Sequence, residues 1–138
     1  MNRRYTIRGL FVLCLCFVSV TVYCQDNNLS GIWQRYVKKD VSEKAQPLLF
    51  FKILGDDGSF CNMQLLPSGD AIKTHEGTYE QTSDGIYIEN IDKTIIPNSP
   101  QKTSLKYRVD GNSLYLEYDT ENKAILEIWK RVIVPNKE

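Results

Sequence analysis

The sequence predicts an all-β fold, a small antiparallel barrel of about eight strands in up-and-down order. Turn-forming residues recur at nearly regular intervals from residue 30 onward, and the segments between them alternate apolar and polar residues. Trp33 and Trp129 lie near the two ends of this run of strands. A single sheet of that length would expose two edges, and pairing the first strand with the last removes both.

Strands are expected between successive turn signals. They are predicted at 30–39, 48–54, 59–66, 71–81, 86–91, 105–109, 114–118 and 123–134. The Gly-Asp-Asp-Gly segment at 55–58 indicates a tight hairpin, because Asp and Gly tolerate positive φ angles. Two prolines mark 92–102 as the longest loop. Asp40 is expected to cap a single helical turn that Pro47 ends.

The first 24 residues are predicted to be a signal peptide. Three arginines precede residues 10–22, an uncharged apolar stretch that is too short to span a bilayer and suits a signal-peptide core. Val22 and Cys24 supply the small residues that cleavage requires, which leaves residues 25–138 as the mature domain. Lipoprotein processing at Cys24 is the rival, but Tyr23 stands where a small residue is wanted. We therefore expect soluble export, to the periplasm or the medium, over lipid anchoring or an uncleaved anchor.

Charge and cysteine content restrict the mature domain further. Loss of three arginines from a chain with 17 basic and 17 acidic residues leaves a net charge of about −3. Such a surface does not attract nucleic acid or anionic lipid, and no membrane span is expected in the mature chain. Cys61 is the only cysteine outside the predicted signal peptide. No intramolecular disulfide can therefore form, and the domain depends on its core.

Trp33 and Arg131 are predicted to close one end of the barrel. Gly31 precedes Trp33 by two residues and leaves room for the indole to lie across the barrel floor. An arginine on the last strand can stack on that ring and tie the last strand to the first. The alternative is that Trp33 is an ordinary core aromatic and Arg131 a surface charge.

The barrel interior is predicted from the alternation of apolar residues. Leu49, Phe51 and Ile53 share a face, and Lys52 points the other way. The expected interior positions are Leu49, Phe51, Ile53, Met63, Leu65, Leu105, Tyr107, Leu114, Leu116 and Tyr118. An eight-stranded barrel is either filled by side chains or holds one small ligand. Phe51, Met63, Tyr107 and Tyr118 are the candidate ligand-binding residues, although all four would also serve as plain core.

The ends of the strand run carry a family resemblance. Gly31-x-Trp33 on the first strand and an arginine late on the last strand resemble the lipocalin signature within the calycin group. Residues 29–133, which close on Trp-Lys-Arg at 129–131, are similar to exported lipocalin-like domains of unknown function from Bacteroides-type bacteria. The resemblance implies a lipocalin-like barrel. Residues 40–46 are too few for the two-helix lid of the fatty-acid-binding relatives.

Two functions from different classes are compatible with these observations. The first is an exported module that binds a small apolar or amphipathic molecule inside the barrel. The second is an interaction or inhibitor module for an envelope protein, which uses exposed loops and strand faces and has no ligand cavity. Tyr87 and Tyr115 would form an aromatic contact patch on such a face if both point outward.

An enzyme is the third and least favoured possibility, and we expect the protein not to be one. A Cys61–His75 dyad is conceivable, because nucleophilic catalysis needs a thiol beside a base. No Gly-x-Ser-x-Gly elbow or phosphate loop occurs, and the single histidine lacks partners at metal-ligand spacing, so neither a metal nor a cofactor is expected. The scattered carboxylates are expected to face solvent: Glu76, Glu80, Glu89 and Glu117.

Overall fold

The computed structural model describes residues 28–40 and 42–133. Eight strands follow one another in these residues: β1 (Gly31–Val37), β2 (Gln46–Leu54), β3 (Ser59–Leu65), β4 (Ala71–Gln81), β5 (Ile86–Thr94), β6 (Lys102–Asp110), β7 (Ser113–Asp119) and β8 (Ala124–Arg131). Each strand pairs antiparallel with the next, and β1 pairs with β8. The prediction of an up-and-down barrel closed by its first and last strands is confirmed. The predicted signal peptide lies outside the described residues.

Successive connections lie at opposite ends of the barrel, because consecutive strands are antiparallel. The hairpins at 55–58, 82–85 and 111–112 share one end with the start of β1, and we call this the closed end. The connections at 38–45, 66–70, 95–101 and 120–123 lie at the other end, which we call the open end. None of the described residues forms a helix that is long and apolar enough to cross a membrane.

Two local predictions differ from the structure. At Asp40 the Glu43 amide donates to the Asp40 carbonyl at 3.2 Å, and the described residues of the segment 38–45 form bends and a turn instead of a helix. Strand β5 continues to Thr94 and so includes part of the predicted long loop. An irregularity in the pairing of β4 with β5 precedes Gly77, where a side chain would overlap the Asn90 carbonyl oxygen.

The apolar core fills the closed end. Its buried residues are Leu29, Trp33, Leu54, Phe60, Tyr87, Leu114, Leu116 and Trp129. Leu105 and Tyr107 pack against this cluster and are partly buried. The interior predictions for Leu105, Tyr107, Leu114 and Leu116 therefore agree with the structure.

The predicted faces of β2 and β3 were wrong. Lys52 and Leu54 are buried inside the barrel, so Phe51 and Ile53 lie on the outer face and Leu49 is 53% exposed. The pairing of Phe51 with Met63 places Met63 outside as well, with Leu65 on the same face. Apolar residues occupy both faces of β2, so their alternation could not determine which face points inward.

The closed end is sealed by contacts between the two chain ends of the barrel. The guanidinium of Arg131 lies 4.2 Å from the ring centroid of Trp33, and Arg131 donates to the carbonyls of Asn28 and Ser30. The Trp33 indole Nε1 donates to the Leu29 carbonyl at 2.7 Å. A side chain at Gly31 would place its Cβ 2.7 Å from the Arg131 guanidinium, at a φ of +129° that favours glycine. Gly31 thus makes room for Arg131 over the indole.

Candidate functional site

A buried ion pair lies above the core, halfway along the barrel. Lys52 on β2 and Glu89 on β5 are in direct contact, and they are only 3% and 6% exposed. The Tyr87 hydroxyl donates to the same Glu89 oxygen at 2.8 Å. Burial raises the pKa of Tyr87, and the Glu89 charge adds to the shift, so the phenol stays a hydrogen-bond donor. The prediction that Glu89 faces solvent was wrong.

Aromatic rings surround the Lys52 ammonium. Its Nζ lies 5.2 to 5.6 Å from the ring centroids of Phe60, Tyr87 and Trp129. Ring faces attract a cation electrostatically, and the attraction grows as water is removed. The rings and Glu89 together compensate Lys52 for its lost hydration.

A second ion pair lies closer to the open end and is built around Trp129. Arg35 on β1 donates to Glu127 on β8 at 2.7 Å. The Trp129 indole donates to the other Glu127 oxygen at 3.0 Å, and the Arg35 guanidinium lies 5.3 Å from the Trp129 ring centroid. Phe50 packs against the same ring at a centroid distance of 5.9 Å. Trp129 therefore belongs to the wall of the site as well as to the core.

Three buried polar atoms on the inner wall have no hydrogen-bond partner among the described residues. They are Asn62 Oδ1, Thr103 Oγ1 and Arg35 Nε. Asn62 pairs across the sheet with Lys52 on one side and with His75 on the other, and it is only 7% exposed. Buried polar groups are normally paired, so these three unpaired atoms, which line the barrel interior from β1, β3 and β6, set their positions apart.

All of these groups line one cavity at the open end. Its volume is about 540 Å³, within the range of small-ligand pockets. Apolar contacts come from Phe50, Ile91, Leu105, Tyr118 and Trp129, and polar groups come from both ion pairs and the three orphan atoms. The exposed carboxylate of Asp119 lies at the rim. A larger depression of about 600 Å³, lined by Lys73, Glu76 and Lys93 among others, lies beside β4 and β5 and is more open to solvent.

The connection between β5 and β6 closes part of the cavity mouth. His75 Nε2 lies 3.2 Å from Ser99 Oγ, and Nδ1 of the same ring lies 3.1 Å from Thr74 Oγ1. Ser99 and Pro100 contribute to the cavity wall. His75 thus contacts this connection from β4, as does the Thr74 carbonyl, which accepts a hydrogen bond from the Ile95 amide at 3.1 Å.

His75 is expected to make the stability of the fold depend on pH. Burial lowers its pKa below the ordinary 6.5, with nearby Lys52 acting in the same direction and Glu89 opposing both. Below pH 6.5 the unfolded chain takes up a proton that the folded imidazole resists, so the free energy of unfolding is expected to fall between pH 7 and 5. Urea titrations across this range measure the effect. His75 is the only histidine, so His75→Asn should flatten the dependence; an unchanged slope in that variant would refute the assignment.

The predicted ligand-binding residues occupy different places. Tyr118 lines the cavity, and burial raises the pKa of its phenol with help from the Glu127 charge. Tyr107 lies deeper, against the core. Phe51 and Met63 lie on the outer face and cannot contact a molecule inside the barrel.

The alternatives to ligand binding lose their proposed residues. Cys61 pairs with Glu76 on the outer face, whereas His75 pairs with Asn62 on the inner face, so the two do not form a dyad. Tyr87 is fully buried, and the predicted Tyr87–Tyr115 surface patch was wrong. Within the described residues, no cluster of three or more metal-ligating side chains occurs.

Comparisons with known proteins identify the family of the chain and its fold. Residues 28–138 match a protein family described as a domain of unknown function, DUF4488. The chain belongs to this family. No match was found among curated proteins.

Two solved structures are similar to the DUF4488 chain. One is a lipocalin-like protein from Bacteroides uniformis, at 21% identity and a TM-score of 0.53. The other is an uncharacterized protein from Bacteroides eggerthii, at 16% identity and the same TM-score. Each comparison covers 75% of this chain and 98% of the other chain. At these identities the likeness establishes the lipocalin-like fold, and the site has to be argued from its own residues.

Most residues of this DUF4488 site were not predicted from the sequence, although the two-residue alternation of the strands indicates some of them. Side chains two residues apart on a strand share a face. Once Trp33 is placed inside the barrel, Arg35 therefore points inward too, and Glu127 points inward with Trp129. The partners of these charges lie far away in sequence: 37 residues separate Lys52 from Glu89, and 92 separate Arg35 from Glu127. Sequence alternation alone does not reveal such pairs.

Proposed function

We propose that the protein is an exported binding module that holds one small amphipathic molecule in the open half of its barrel. The cavity of about 540 Å³ carries the proposal, because it combines apolar walls with buried polar groups that lack partners. The packed core below it limits how deep a ligand can enter. The charged wall favours an amphipathic ligand over a purely apolar one.

A cavity-filling substitution tests whether binding occurs at this place. Leu105→Trp puts a bulky side chain into the cavity and is expected to weaken binding of the neutral dye N-phenyl-1-naphthylamine by about tenfold or more, measured by dye fluorescence. Leu126→Trp is the matched control, because Leu126 is 55% exposed and is not among the cavity-lining residues. Equal binding by both variants, or no binding by the unmodified protein, would reject the proposal.

Export is proposed from the N-terminal sequence. The basic residues before the apolar segment 10–22 support processing after Cys24 and release to the periplasm or the medium. Mass spectrometry of the protein from the producing cells distinguishes the possibilities. A mature chain that begins at Gln25 supports soluble export, whereas a lipid-modified Cys24 replaces it with lipoprotein anchoring.

A further inference from the structure

The inner wall carries its charges in closed pairs. Lys52 is neutralised by Glu89, and Arg35 is neutralised by Glu127. Among the described residues that line the cavity, the remaining charge is the exposed Asp119 carboxylate at the rim. An anionic ligand would leave water without finding a cation outside these pairs, and a cationic ligand would find only this solvent-exposed carboxylate, which compensates little for burying the charge.

The orphan atoms specify what a ligand must offer. Asn62 Oδ1 accepts a hydrogen bond, Arg35 Nε donates one, and the Thr103 hydroxyl can do either. A carboxylate only accepts, so it leaves Asn62 unpaired and meets the charges of Glu89 and Glu127. An ammonium group only donates, so it leaves Arg35 Nε unpaired and meets the charge of Lys52. A hydroxyl or a primary amide supplies both a donor and an acceptor without a charge.

We propose that the ligand is an uncharged amphipathic molecule whose hydroxyl or amide group binds at Asn62, with its apolar part against Phe50 and Leu105. This inference rests on the proposed function and specifies its ligand class. It distinguishes the site from a receptor for fatty acids or other organic anions, which needs a cation that is free to pair with the ligand.

Four eight-carbon probes with different head groups test this proposal. Octan-1-ol, octanamide, octanoate and octylammonium are compared as competitors of N-phenyl-1-naphthylamine on the purified protein. The alcohol and the amide are expected to displace the dye at concentrations about tenfold or more below those of the two ions. Octanoate or octylammonium binding as tightly as octan-1-ol would overturn the inference while leaving ligand binding itself intact. If neither the dye nor any probe binds, the proposed function fails as well.

Two substitutions tie the preference to named residues. The Asn62→Leu variant is expected to bind the dye as before but to bind octan-1-ol about fivefold or more weakly, because the acceptor for the hydroxyl of octan-1-ol is lost. Glu89→Gln leaves Lys52 unpaired and is expected to strengthen octanoate binding about tenfold. If the Glu89→Gln variant does not fold, Glu127→Gln provides the same test, because it removes the ion-pair partner of Arg35 and should likewise strengthen octanoate binding. Unchanged head-group selectivity in the folded variants would refute the assigned roles.

Discussion

Replacing Lys52 with methionine is expected to lower the free energy of unfolding by about 3 to 5 kcal/mol. Lys52 is almost fully buried, and its removal leaves the Glu89 carboxylate without its counter-ion inside the barrel. The Tyr87 hydroxyl would remain as a hydrogen-bond donor to Glu89, but one neutral donor does not replace a cation. Urea unfolding at pH 7, followed by tryptophan fluorescence, measures the loss.

Removing both charges should recover much of this loss. In Lys52→Met combined with Glu89→Gln, no buried charge remains and the glutamine can still accept the Tyr87 hydrogen bond, so at least about 2 kcal/mol is expected to return. Lys73→Met is the exposed control, because Lys73 pairs with Glu76 at the solvent-screened surface and its loss should change the free energy of unfolding far less than the loss of Lys52. A double variant as unstable as Lys52→Met would show that Lys52 stabilises the barrel through the surrounding rings instead of through Glu89.

The topology of the barrel follows from local sequence. Turns such as Gly-Asp-Asp-Gly at 55–58 need residues that tolerate positive φ, and Gly58 has a φ of +80° in the structure. Such signals act between neighbouring strands, and an up-and-down barrel is built from neighbours. The boundaries of β4, Ala71–Gln81, were therefore predicted to the residue.

The inner face could not be predicted in the same way. The sequence of β2, QPLLFFKIL, offers apolar residues to both faces. Lys52 points inward because Glu89 and three aromatic rings from other strands receive it, and none of these is a sequence neighbour. The expectation that a charged residue points outward therefore assigned the wrong residues of β2, Phe51 among them, to the barrel interior. Met63 on β3, which pairs with Phe51, was assigned to the wrong face as well.

The two ends of the barrel divide its roles. At the closed end, apolar side chains and the Trp33–Arg131 contact leave little space and supply most of the burial. At the open end, ion pairs and orphan polar atoms occupy positions that apolar packing would stabilise better. Polar groups kept at a cost to stability are a common feature of binding sites, which supports the proposed function.

Trp33→Ala is expected to lower the free energy of unfolding by about 3 to 5 kcal/mol, as much as the loss of Lys52. The side chain is fully buried at the closed end, and truncation removes its packing together with the hydrogen bond to the Leu29 carbonyl. Trp33→Phe should cost less, about 1 to 2 kcal/mol, because a ring remains but the indole donor is lost. Thermal and urea unfolding of the three proteins compare these values.

We expect Trp33 and Arg131 to stabilise the closure of the barrel together, and a double-mutant cycle measures their coupling. Arg131→Met keeps the length of the side chain but loses the cation over the ring and two hydrogen bonds to carbonyls near the start of β1. If Arg131 holds the ends of the barrel together through the indole, Arg131→Met should lower the free energy of unfolding less in the Trp33→Ala background than in the unmodified protein. The expected coupling energy is about 0.5 kcal/mol or more. Tyr115→Ala, which removes an aromatic ring stacked on Arg108 outside the barrel, should cost about 1 kcal/mol or less. Strictly additive losses for Trp33 and Arg131 would mean that the indole is only a core side chain and that pairing of β1 with β8 closes the barrel without it.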